Sequence, residues 1–243
     1  MKVPFILAAV TAAFALSATP AAATPAHPAP LGPQRPYEPD VEGPANIESG
    51  AATVAPLGGG VAITFDAYRG TATGEKPAAP REFVFLFDNS IHFNPLAFPT
   101  CDRAALAEGA CPPGSKVGGG RAEFYPTGAA EVAVYNTKFA NGMRGVLITI
   151  PATGTVLDNT LEPVVGSYQR KYTWGLHEII PPDATPPAQR GSTTHFLVTF
   201  GATWRGHDFV QSYAPTDRPL NLGVWSHYVT GQKTLTEGRT PRP

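Results

Sequence analysis

The chain has 243 residues, 18 Lys and Arg against 19 Asp and Glu, and a formal net charge of -1 at pH 7. Near-neutrality without a basic run argues against a nucleic-acid binder, which needs a basic face. A hydrophobic share of 42% argues against a disordered acidic chain, and a charged share of only 15% suits an exported, strand-rich protein.

Residues 1–23 read as a secretory signal peptide. Lys2 gives the positive start, Val3 to Leu16 the apolar run, and Ala21-Ala22-Ala23 a cleavage site before Thr24. A permanent membrane helix needs about 20 apolar residues. This run is shorter and no later segment approaches it, so no transmembrane segment is expected in the mature chain. No cysteine follows the signal to carry a lipid, and the end, Arg239 to Pro243, is neither a hydrophobic anchor nor a wall-sorting signal. The expected location is secreted or extracellular, with the protein free or held non-covalently at the cell envelope. About 220 mature residues suffice for one domain with a sizeable core.

Residues 24–46 form a proline-rich leader containing Pro25, Pro28, Pro30, Pro33, Pro36, Pro39 and Pro44. Proline density favours extended polyproline II and resists sheet ladders, so a flexible or semi-rigid spacer is expected. Residues 47–235 are expected to form the folded domain, with short strands separated by Gly and Pro. The clearest strands are Val61–Phe65, Glu82–Phe87, Ala122–Tyr125, Glu131–Asn136, Val146–Ile150, Tyr172–Ile180, His195–Phe200 and Gly223–Val229. Glu82–Phe87 is apolar on both faces and so belongs in the middle of the core. Helical periodicity is confined to Arg103–Glu108, capped by Asp102 and stopped by Gly109. The pattern predicts an all-β fold, an antiparallel β-sandwich of jelly-roll or Ig-like type with one short disulfide-stapled helix. Residues 236–243 read as a polar tail.

Cys101 and Cys111 are the only cysteines. A lone pair in an exported chain points to a disulfide rather than a metal or redox site. The surrounding string runs Phe93-Asn94-Pro95, Phe98-Pro99-Thr100-Cys101, a short helix, then Cys111-Pro112, Gly114-Ser115, Val117-Gly118, Gly120 and Ala122. This module resembles uncharacterised secreted proteins of high-GC Gram-positive bacteria, and the resemblance implies location and fold rather than an activity. Such proteins often carry a second cysteine pair near a C-terminal tryptophan strand; Val224-Trp225 is present here without it. The glycines after Gly114 lack the Lys-Ser/Thr of a phosphate loop.

The histidines give no metal signature. His27 falls in the leader and is discounted. His177-Glu178 begins like H-E-x-x-H, but Pro181 replaces the second histidine and a strand would point the two side chains to opposite faces. His92, His195, His207 and His227 are singletons. A Ser-His-Asp set drawn from Ser90 or Ser226, His92 or His227, and Asp88 lacks a nucleophile elbow, and paired carboxylates for glycosidase chemistry are unsupported. Asp88-Asn89-Ser90 reads as a turn rather than a calcium loop. Trp174 and Trp225 sit on apolar-patterned strands and are expected in the core. Trp204, beside Arg205-Gly206, is the tentative ligand contact.

No catalytic residue, cofactor or metal ligand is assigned. The leading expectation is an exported non-catalytic protein, a structural or binding module of the envelope, with glycan, lipid and protein open as partners and no nucleic acid. The alternative is a secreted hydrolase whose site is assembled from distant His and carboxylate residues. A factor acting on another cell would instead present a large apolar patch. Oligomeric state is not fixed by the sequence.

Overall fold

A computed structural model describes residues 25–242, so the segment read as a signal peptide lies outside the described residues. The fold is all-β and antiparallel. β1 (Ile47–Leu57) and β2 (Gly60–Gly70) form a hairpin, followed by β3 (Pro80–Asp88) and the short β4 (Ile91–Phe93). β5 (Lys116–Phe124), β6 (Ala129–Lys138), β7 (Arg144–Ile150), β8 (Thr155–Pro163) and β9 (Tyr172–Ile179) make a meander. Then come β10 (Thr193–Phe200), three short strands, β11 (Thr203–Trp204), β12 (His207–Asp208) and β13 (Val210–Ser212), and finally β14 (Leu220–Tyr228) and β15 (Lys233–Thr240).

Eleven strands form one sheet in the order β1-β2-β10-β5-β6-β7-β8-β9-β3-β14-β15, and β13 pairs with β4 outside it. The sheet curls so that its halves face each other. Phe65 on β2 meets Phe85 and Phe87 on β3 at ring separations of 5.2 and 5.4 Å, and Phe200 on β10 meets Phe85 at 5.4 Å. The expected sandwich layers are thus two facing parts of a single sheet. β3 is paired on both sides, by β9 and β14, and every residue of it is buried, as its two apolar faces require. Phe85 and Phe87 belong to the interior cluster, while Val84 and Leu86 join an outer cluster with Ala29, Val164, Tyr172 and Trp225.

That outer cluster is covered by the leader. The described residues 25–45 are seated on the sheet rather than standing away from it. Val165 N donates to Pro28 O at 2.8 Å, Gly32 N to Glu162 Oε2 at 2.6 Å, and Val41 N to Val229 O at 3.0 Å. The backbone groups that proline-rich sequence denies to a ladder are used one at a time, which composition does not reveal. Gly175 makes room for this seat: a Cβ there would lie 2.8 Å from Val84 and 3.3 Å from Ala29.

The polar-tail expectation needs correction, because β15 continues through most of it to Thr240 and pairs along β14. Its side chains toward the interior, Thr234 and Thr236, are polar, so no apolar alternation marked the strand. Thr234 Oγ1 donates to the buried Glu48 on β1.

The disulfide and the short helix beside it follow expectation. Cys101 and Cys111 form a disulfide with Cα atoms 5.0 Å apart, and the helix α1 (Arg103–Ala107) lies between them. Asp102 caps it, accepting from Ala105 N at 2.8 Å. Buried Asn136 on β6 holds the approach, donating through Nδ2 to Pro95 O, Phe98 O and Pro99 O at 3.0, 3.0 and 3.1 Å. No helix of the described residues is long and apolar enough to cross a membrane.

Candidate functional site

Two constellations stand out, and they lie apart on the molecule. The first is on the outer face beneath the leader. Strand alternation puts Glu82 on β3, His177 on β9, Glu162 on β8 and His227 on β14 on this face, and the leader lays His27 over them. The rings of His27 and His177 are 4.6 Å apart, and His27 is 4.7 Å from Trp225. One ligand-type atom from each of His27, Glu82 and His177 lies within 4.8 Å of the other two.

The groups around this cluster fix its polarity. His177 Nδ1 is 3.1 Å from Glu162 Oε1, and Glu162 also accepts from Thr160 Oγ1 and Gly32 N, each at 2.6 Å. His227 Nδ1 is 3.1 Å from Glu82 Oε2. His27 Nδ1 accepts from Ala29 N at 3.1 Å. The remaining ring nitrogens, Nε2 of His27 and of His177, are buried without a hydrogen-bond partner. Burial, reinforced by neighbouring His177, lowers His27 to about 4, so its ring is neutral at pH 7. Burial opposes ionisation of Glu82, but the bond from His227 and the nearby imidazoles outweigh it and hold the carboxyl below its usual range. Glu162 is held down in the same way, by His177 and Thr160 against burial.

The second constellation is a cleft of about 620 Å³ at the end of the curled sheet where β4 and β13 pair. His92, Arg144, Leu161, Trp174, His207 and Gln211 line it. Trp174 is half-buried here rather than enclosed in the core, which corrects its expected place. It stands at the first turn of β9, where the interior face opens to this end. Leu96 at the rim is 80% exposed.

The comparisons come to nothing: the chain matches no known family model, no curated protein and no solved structure. Function therefore rests on these two places.

Trp204 lies in neither. It is partly buried against the interior cluster, and its indole sits where a Cβ on Gly114 would fall, 2.3 Å away. Arg205 stacks over it at 5.3 Å. Trp225 is fully buried as expected, but in the outer cluster beneath the leader.

The Ser-His-Asp set does not assemble. Ser226 Oγ donates to Glu48 inside the sheet, whereas His227 points outward, and Ser90 Oγ bonds Asp88. Asp88 ends β3 and flanks the turn at Asn89-Ser90, accepting from Ser90 N at 2.9 Å and Asn221 N at 2.8 Å. His177 and Glu178 do point to opposite faces. Sequence reasoning misses His27 because the composition of its leader reads as a spacer. The signal that was legible is Pro28-Ala29-Pro30, which holds the chain extended beside it.

Proposed function

We propose that this is an exported, non-catalytic binding module of the cell envelope, of the secreted group its cysteine module resembles. Its ligand is a glycan bearing an acidic substituent, and the seat is the cleft beside Trp174. The observation that carries this reading is the juxtaposition there of a partly exposed indole with a guanidinium, two imidazoles and a carboxamide. An indole face stacks on the apolar side of a sugar ring, and Arg144 pairs with a carboxylate in two-pronged fashion. Clefts of this size with few convergent polar groups are typical of ligand sites.

The test is co-sedimentation with isolated peptidoglycan, glycan and lipid fractions, followed by titration with soluble acidic glycan fragments. Saturable binding to the glycan fraction is expected, with Trp174→Ala and Arg144→Ala each weakening it at least about tenfold, the range of one good aromatic or charge-assisted contact. Trp204→Ala should leave affinity unchanged. Binding to none of the fractions, or binding indifferent to Trp174, overturns the reading.

The hydrolase reading has one observation in its favour, the gathering of His27, His177 and Glu82. Against it, His177 is 0% exposed beneath the leader, so a substrate would have to displace that segment first.

A further inference from the structure

We propose that His27, Glu82 and His177 bind one divalent transition-metal ion of zinc type, and that this ion clasps the leader to the sheet. The site is separate from the cleft and uses none of its residues.

Two imidazoles and one carboxylate are a zinc-type donor set, unlike the all-oxygen sets that calcium and magnesium prefer. The three donors lie within 4.8 Å of one another. Zinc with bonds of about 2.0–2.1 Å places tetrahedral ligands roughly 3.4 Å apart, so the three donors have to draw closer than the present limit of 4.8 Å when the ion binds.

The groups around His177 match what a metal-bound histidine requires. His177 donates its Nδ1 proton to Glu162, which leaves the Nε2 lone pair without a partner. A carboxylate behind a ligating histidine fixes its tautomer and raises its basicity. Glu162 is itself fastened by Thr160 and by the leader amide of Gly32. Glu82 commits one oxygen to His227 and keeps the other for the ion.

Nε2 of His27 and Nε2 of His177 are both buried and unpartnered. Two such nitrogens on rings whose centroids are 4.6 Å apart are costly in an ordinary packed interior, and each buried unsatisfied group calls for an explanation. A shared cation supplies one. The His27 ring must then carry its proton on Nδ1 instead of Nε2, and the Ala29 amide contact opens. One proton leaves Nε2 and one is taken up at Nδ1, so the ring stays neutral. An entry path exists, since Glu82 also lines an open cleft of about 380 Å³ with Arg35, Tyr37 and His227.

The three ligands come from the leader, β3 and β9. A metal held by all three is a cross-link between residues that are remote in sequence, and its binding energy adds to the stability of the seated leader.

The experiment strips the purified protein with a chelator and titrates it with zinc chloride, reading stoichiometry by elemental analysis, heat of binding and thermal midpoint. Amide exchange of residues 27–33 reports the leader. Expected are one zinc per chain, a midpoint raised reversibly by zinc, and slower exchange in 27–33. His27→Ala lies on the leader and leaves the sheet intact; it should lose at least tenfold in affinity, as should Glu82→Gln. His92→Ala and His207→Ala should bind as the parent does. Absence of stoichiometric zinc from the parent protein overturns the proposal, as does undiminished binding by His27→Ala. Loss of binding in His92→Ala also overturns it, by moving the metal to the cleft.

Discussion

Glu178 sits inside the curled sheet, fully enclosed, next to Asn159 and within the field of Arg69. Burial pushes its carboxyl up to about 7, only partly offset by the bond that Asn159 Nδ2 donates at 3.2 Å. A folded value above the unfolded one means the unfolded chain gives up this proton first. The stability it allows is therefore complete below about 4.5 and is lost as pH rises toward 7. Glu178→Gln removes that loss, and its amide can donate to Asn159 Oδ1, which has no partner. Denaturant unfolding should find the two proteins equal near pH 4 and the variant more stable by up to about 3 kcal/mol at pH 8. A constant difference across pH would refute the assignment. None of this is visible in the sequence, where Glu178 breaks the apolar alternation of Trp174, Leu176 and Ile180 and otherwise only completes a failed H-E-x-x-H start. Period two gives the face but not the depth, and His177 beside it shows the same blindness from the other side.

At the scale of elements, the strands were legible wherever one face is apolar. The run from Phe83 to Phe87 announced β3, and Val146, Ile148 and Ile150 announced β7. β8 went unread because Asn159 faces inward and Thr160 and Glu162 outward, so polar residues occupy both sides. The short helix was legible from Asp102 and Gly109, since capping chemistry is local. The leader was not, because its attachments are single long-range bonds. Its polar anchor is Glu38, which meets Arg190 through two hydrogen bonds and Arg35 through another at 3.0 Å. Arg190 first, and Arg35 after it, hold the Glu38 carboxyl down to about 2 against the opposing effect of burial. The sign is opposite to that of Glu178: this attachment is complete above about 4.5 and fails as pH falls toward 2. Hydrogen exchange at pH 7 should find the leader amides of Glu38→Gln opening about tenfold faster than those of the parent. The contrast between the two proteins should shrink as pH falls from 4.5 toward 2, and a contrast undiminished at pH 2 would place the anchor elsewhere.

For the whole molecule, the curl of the sheet leaves one seam. No ladder joins β1 to β15 among the described strand pairings, and between them lies a groove of only about 30 Å³. Side chains close the seam instead: Glu48 on β1 accepts from Thr234 on β15, and Arg69 reaches the same carboxylate at 2.8 Å. Amides at the rims of this seam should exchange sooner than those of β3, which is paired on both sides and buried throughout; uniform protection across the sheet would contradict a side-chain closure. The seat of the leader has a further consequence. Synthesis runs from the N-terminus, so the leader is made early, yet many of the groups that receive it lie on or beside β8, β9 and β14, more than a hundred residues further along the chain. The leader therefore stays unseated until Glu162, Val165 and Trp225 have been made. Until it arrives, Val84, Leu86 and Trp225 present a bare apolar strip to the surroundings. The newborn chain therefore passes through an interval of vulnerability to aggregation, and the same interval is its opportunity to be met by a chaperone.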